Sequence, residues 1–114
     1  MMSMQLTNQT RKTTLSESLV VPKKLIDQTL GLLKYKTPVA MFLRTHFGIH
    51  TFGMQYAIDV LILDSQNSVV AMKENMKPNR IFLWNPKYDT ILELPRGTIQ
   101  KTQTRINDTI IFNK

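Results

Sequence analysis

Ile49-His50-Thr51-Phe52-Gly53-Met54-Gln55-Tyr56-Ala57-Ile58-Asp59-Val60-Leu61-Ile62-Leu63-Asp64 is the stretch whose reading decides the rest of the chain. Val60 to Leu63 is the core of the most apolar run in the sequence, and Asp59 and Asp64 stand at its two ends. Its length and its branched side chains suit a strand rather than a helix. The run is therefore read as a central strand. The polar, glycine-containing approach before it gathers the unusual side chains at the strand's entrance.

Working outward toward the C-terminus, Asp64-Ser65-Gln66-Asn67 has the residue types of a tight turn, with the Asp64 side chain bonding the backbone two positions on. Ser68 to Glu74 is the returning arm of a hairpin, with Val69, Ala71 and Lys73 on one side and Val70 and Met72 on the other. Met76-Lys77-Pro78-Asn79 forms a break, and Arg80 to Trp84 is strand-like. Asn85-Pro86-Lys87 is a turn, and Tyr88 to Leu94 is a strand halted by Pro95-Arg96-Gly97. Thr98 to Gln103 suits a single helical turn, Asn107-Asp108 a turn, and Thr109 to Phe112 a closing strand.

Toward the N-terminus, Met4 to Thr7 reads as a short strand. Lys12 to Val21 reads as a half-buried strand with Thr13, Leu15, Glu17, Leu19 and Val21 on one face, Glu17 being the misfit. Pro22 opens a helix at the position where a missing N–H costs nothing. Leu25, Ile26, Thr29, Leu30 and Leu33 then recur at helical spacing, which predicts one short N-terminal α-helix over 22–33. Lys34 to Pro38 is a basic linker, Val39 to Leu43 a strand, and Arg44 to Gly48 a loop holding His46. Short strands separated by turns, with a helix near the start, predict a mostly β sandwich or barrel in a single domain, 1–114.

The chain has 15 Lys and Arg against 8 Asp and Glu, a net charge of +7. That charge favours nucleic acid or anionic surfaces weakly, and scattered lysines equally serve solubility. No cysteine occurs, which excludes disulfides, cysteine-ligated zinc and a thiol nucleophile. No apolar run approaches the roughly 18 residues of a membrane span, and the first twenty residues lack the apolar centre of a signal peptide. The expectation is a cytoplasmic protein with no membrane attachment.

Several blocks carry a resemblance in their order and spacing. Gly31-Leu32-Leu33 ends the helix. Ile49-His50-Thr51-Phe52-Gly53-Met54 leads after three residues into Ile58-Asp59 and Leu63-Asp64. Pro78-Asn79-Arg80, then Leu92-Glu93-Leu94-Pro95 with Gly97, and a turn before the last strand complete the set. Over roughly residues 5 to 112 the chain resembles the prokaryotic family known as domain of unknown function 192. The resemblance implies a compact β-rich domain with a short helix, of sandwich or distorted jelly-roll-like type, and no established activity. The chain departs from the family pattern in three places. Ile26-Asp27-Gln28-Thr29 lacks the arginine usual before Gly-Leu-Leu. Asn107-Asp108 replaces a Gly-Asp, and Arg96 stands where a small residue is common.

The candidate ligand-binding residues are His50, Thr51, Asp59, Arg80 and Glu93, read as one polar pocket for a small polar ligand. The structural alternative makes Asp59 a clamp, accepting bonds from backbone N–H groups, from His50 or Thr51, or from Arg80, because burying a bare charge costs several kcal/mol. Glu93 points opposite to Leu92 and Leu94. It is therefore exposed if they face a core, or paired with Arg80, or used to fix the Pro95 turn. His46 and His50 would lie roughly 13 Å apart on an extended strand, and no metal-ligand spacing is present, so no metal or other cofactor is assigned.

Three functions stay open. The first is a non-catalytic binding or accessory protein, with a small polar ligand or a protein as partner. The second is a metal-dependent or acid–base hydrolase using His50 and Asp59, the one pair able to divide acid and base roles. The third is a basic nucleic-acid module, for which Phe42, Phe47, Phe52, Tyr56, Phe82, Trp84 and Tyr88 would supply the stacking rings. No nucleophile elbow, phosphate-binding glycine loop or His-Glu-x-x-His is present, and no catalytic residue is assigned.

Overall fold

A computed structural model describes residues 4–21, 38–46 and 48–113. The helix expected over 22–33, the linker that follows it and Phe47 lie outside the described residues.

Among the described residues there are ten strands: β1 Gln5–Asn8, β2 Thr13–Ser16, β3 Leu19–Val20, β4 Ala40–Arg44, β5 Ile49–His50, β6 Ile58–Leu63, β7 Val69–Met76, β8 Ile81–Phe82, β9 Thr90–Pro95 and β10 Ile110–Asn113. One helix, α1, spans Thr98–Thr102. The fold is mostly β, as expected, and the described helix is the single turn expected after Gly97. That turn starts there because Gly97 takes φ 91°, a left-handed conformation glycine adopts at little cost.

The strands form a three-stranded sheet, β10-β1-β2, a five-stranded sheet, β3-β4-β9-β6-β7, and a two-stranded ribbon, β5-β8. The five-stranded sheet ends on β3 and β7, so the described residues form no closed barrel. Its strand β6 is buried along its whole length, as its apolar run requires. Alternation sends its side chains to two cores. Leu61 and Leu63 join Leu92, Leu94, Ala40 and, from the three-stranded sheet, Leu6, Leu15 and Ile110. Ile58, Val60 and Ile62 join Met41, Leu43 and Ile91 on the other face, beneath Phe82, Trp84, Tyr88 and Tyr56.

Three expectations change at this level. Lys12 to Val21 is two strands. β2 and β3 belong to different sheets, and the chain crosses between them at Glu17-Ser18, where Glu17 is exposed and accepts a bond from Gln5 Nε2. That crossing is why Glu17 broke the pattern. The faces of the returning arm also shift: Val70 and Ala71 both meet the second core, while Val69 and Met72 meet the first. A β-bulge between Ile62 and Leu63 changes the phase. Finally, Glu93 is 4% exposed rather than solvated. The leucines beside it do face a core, but the opposite face of the sheet is covered as well.

Candidate functional site

The register of the central strands brings three strand ends together. Ile58 lies beside Met76 of β7 and beside Pro95 of β9. The residues just beyond, Ala57, Lys77 and Arg96, therefore emerge at the same end of the sheet. With Pro38, Pro78, Pro95 and Tyr56 they line a cleft of about 570 Å³, whose remaining polar lining is Gln55 and Asn75. Its walls are rigid where proline forms them and apolar along Tyr56 and Ala57. Its charge is carried by Lys77 and Arg96. Both are exposed, and neither makes an ion pair among the described residues.

Of the five residues singled out from sequence, two, Asp59 and Thr51, brace this cleft. Asp59 is 1% exposed and faces the first core with Leu61 and Leu63. Its Oδ1 accepts the N–H of Asn75 at 2.8 Å and its Oδ2 the N–H of Ile99 at 2.8 Å. One carboxylate thus fixes Asn75, at φ 51° in the irregular part of β7, and the first turn of α1 just after Arg96. Of the partners weighed for Asp59, these are the backbone N–H groups.

Thr51 is fully buried. Its hydroxyl donates to the Lys77 carbonyl at 2.7 Å and accepts the Arg80 N–H at 2.9 Å, while its own carbonyl accepts from Asn79 at 3.0 Å. These bonds hold the 77–80 turn, and with it the Lys77-Pro78 wall. Arg80 is exposed, and its guanidinium donates to the Pro78 and Asn79 carbonyls at 3.3 and 3.4 Å. His50 is exposed, stacks on Phe52 with ring centroids 5.1 Å apart, and accepts the Phe52 N–H at 3.2 Å.

Glu93 lies on the other face of the sheet from Asp59. The register pairs it with Val60 and with Met41, whereas Asp59 pairs with Leu94. The five residues therefore do not converge on one point. His50, Thr51 and Arg80 gather at the β5-β8 ribbon, and Asp59 and Glu93 are separated by the sheet. Burial pushes the Glu93 carboxyl up to about 7, so it gains and loses its proton around neutral pH. The Tyr56 hydroxyl, on a residue that lines the cleft, is raised too, by burial and by the Glu93 charge.

Other candidates have structural partners. His46 Nδ1 is 2.7 Å from the Pro86 carbonyl and its Nε2 is 3.7 Å from Asp89, so the two histidines engage different loops. Among the described residues, no three His, Asp or Glu side chains gather as a metal site. Of the stacking rings, Phe42 packs on the first core and Tyr56, Phe82, Trp84 and Tyr88 on the second, while Phe52 is 47% exposed. No helix among the described residues is long and apolar enough to cross a membrane.

Sequence reasoning missed Gln55, Asn75, Lys77 and Arg96 as cleft residues. The available signal was the pair Lys77-Pro78 and Pro95-Arg96, cations beside prolines at strand ends. That they meet is a matter of register, which neither segment carries by itself.

Residues 7–112 match the family described as "Uncharacterized ACR", domain of unknown function 192, and the chain belongs to it. No curated protein matches the chain. Among solved structures, the chain is similar to a candidate transcription regulator from Sinorhizobium meliloti 1021, with TM-score 0.72 and 17% identity over 96% of this chain and 91% of that one. It is similar also to a protein of unknown function from Novosphingobium aromaticivorans DSM 12444, with TM-score 0.73 and 14% identity over 96% and 83%. At such identities the likeness is one of fold.

Proposed function

We propose that this protein is a non-catalytic binding domain that holds a small polar ligand in the cleft between Tyr56, Lys77 and Arg96, on a scaffold read as a distorted sandwich. The observation that carries this reading is the bracing of the cleft. Two buried side chains, Asp59 and Thr51, direct their hydrogen bonds to the backbone of the segments that form its walls. Pre-set walls of this kind reduce the ordering cost of binding. Thr51 and Asp59 then serve the ligand as positioning residues.

The hydrolase reading finds less support. Asp59 spends both oxygens on backbone N–H groups inside a core, and the His50 ring stands outside on Phe52. A base and acid with such partners do not share a substrate.

A thermal-shift screen of polar metabolites tests the reading, since a ligand at about a hundred times its dissociation constant adds about 2.7 kcal/mol. The expected result is a hit lost in Tyr56→Ala and in Gln55→Trp, which empties and fills the cleft respectively, each variant checked for native circular dichroism. A hit that survives both substitutions, or a screen without hits, overturns it.

A further inference from the structure

The cleft's charge names the class of its ligand, granted the binding reading above. We infer that it takes a small organic anion, a carboxylate or phosphate monoester carried on a compact apolar body. Lys77 and Arg96 flank the opening from two different strand ends, and no acidic side chain lines it among the described residues. Neither cation has a carboxylate partner there. The buried Glu93 sits beside Met41 and Val60 on the second-core face and is not among the residues that line the cleft.

Two cations set at a cleft without a counter-charge among its described lining favour an anion. Arg96 offers the planar fork that matches carboxylate and phosphate oxygens, and Lys77 adds a mobile point charge. The body of the ligand follows from the remaining lining. Pro38, Pro78, Pro95 and the Tyr56 ring present apolar, conformationally restricted surface. A bare inorganic anion would leave that surface unused, whereas a ring or short alkyl group covers it.

The test is a matched series on the intact protein, with dissociation constants read from amide chemical shifts of Ala57, Asn75 and Arg96. Benzoate and phenyl phosphate carry the anion, benzamide is its neutral counterpart, benzamidine its cation, and inorganic phosphate the anion without a body. Benzoate is expected to bind about tenfold tighter than benzamide, with benzamidine weakest. Lys77→Gln and Arg96→Gln should each cost benzoate about threefold, the scale of exposed charge pairs. Raising salt tenfold, from about 20 to about 200 mM, should weaken benzoate and leave benzamide unchanged.

Benzamide or benzamidine binding as well as benzoate overturns the inference while leaving the cleft a binding site. Inorganic phosphate equal to phenyl phosphate overturns the apolar body. No shift at the cleft with any probe overturns the binding reading itself, and this inference with it.

Discussion

Asp59 and Glu93 sit one position out of register on neighbouring strands, and the two faces of the sheet treat them in opposite ways. Both are nearly inaccessible, at 1% and 4% exposure. Asp59 has a backbone N–H on each oxygen, one from β7 and one from α1. Glu93 lies against Met41 and Val60, and burial raises its carboxyl to about 7. A buried carboxylate is thus not itself a mark of function. What it does depends on the partners its surroundings offer. Asp59 holds two segments together through their N–H groups, whereas Glu93 lies against apolar neighbours and is raised by burial.

The largest effect should come from the Asp59 side. Asp59→Asn replaces an acceptor of two backbone N–H groups by an amide that accepts on one oxygen and presents N–H to the other. A loss of about 2–4 kcal/mol is expected, seen as a melting temperature lower by about 10 °C. An unchanged melting temperature would remove Asp59 from the role of brace.

Glu93→Gln should act in the other direction, and with pH. The folded carboxyl is raised from 4.5 to about 7. Below 4.5 the group is neutral in both states and its full contribution is present. As pH rises toward 7 the unfolded chain ionises first, so the stability of the native protein falls. Gln stays neutral throughout. The variant should match the parent at about pH 4 and exceed it by about 2–3 kcal/mol at about pH 8 in urea denaturation. Equal stability at both pH values would show that Glu93 does not hold its proton.

A third carboxylate extends the comparison. Asp108 is 2% exposed at the turn before β10. Burial pushes its carboxyl up, but bonds from Arg11 at 2.9 Å, Asn8 at 3.0 Å and the Arg105 N–H at 2.9 Å, with the Arg11 charge, hold it below its ordinary value. Such a group contributes stability above the ordinary carboxylate value of 3.8, and that contribution is lost as pH falls through its lower folded value. Asp108→Asn should cost about 2 kcal/mol near neutral pH, with the gap closing in acid. A constant gap down to strongly acidic pH would assign the cost to packing instead of charge.

The smallest effect on stability belongs to the cleft cations. Lys77→Gln and Arg96→Gln should change unfolding free energy by less than about 0.5 kcal/mol, because both side chains are exposed and unpaired among the described residues. A larger loss from either would make it part of the scaffold. The comparison then separates residues that hold the fold from residues left free to meet a ligand.

Much of the framework was legible in the chain itself. The run Val60 to Leu63 identified the central strand, because four branched apolar residues in a row next to a turn suit a strand covered on both faces. Asp64 and Asn67 identified the hairpin turn: Asp64 Oδ1 accepts the Gln66 and Ser68 N–H groups at 2.9 Å, and Asn67 takes φ 62°. The ordered blocks pointed to the family. These are local properties, fixed by side-chain size, hydrogen-bonding capacity and turn geometry within a few residues.

The tertiary structure decided the rest. Whether Glu93 meets water depends on what covers the second face of the sheet, and Phe82, Trp84 and Tyr88 come from a segment before it in sequence. Whether Asp59 is a ligand group or a brace depends on Asn75 and Ile99, 16 and 40 positions away. The cleft exists because Ala57, Lys77 and Arg96 leave three strands at one level. Register between distant strands is set by the packing of whole faces, so residue type and spacing show which side chains are unusual, and the pairing of strands determines which of them meet.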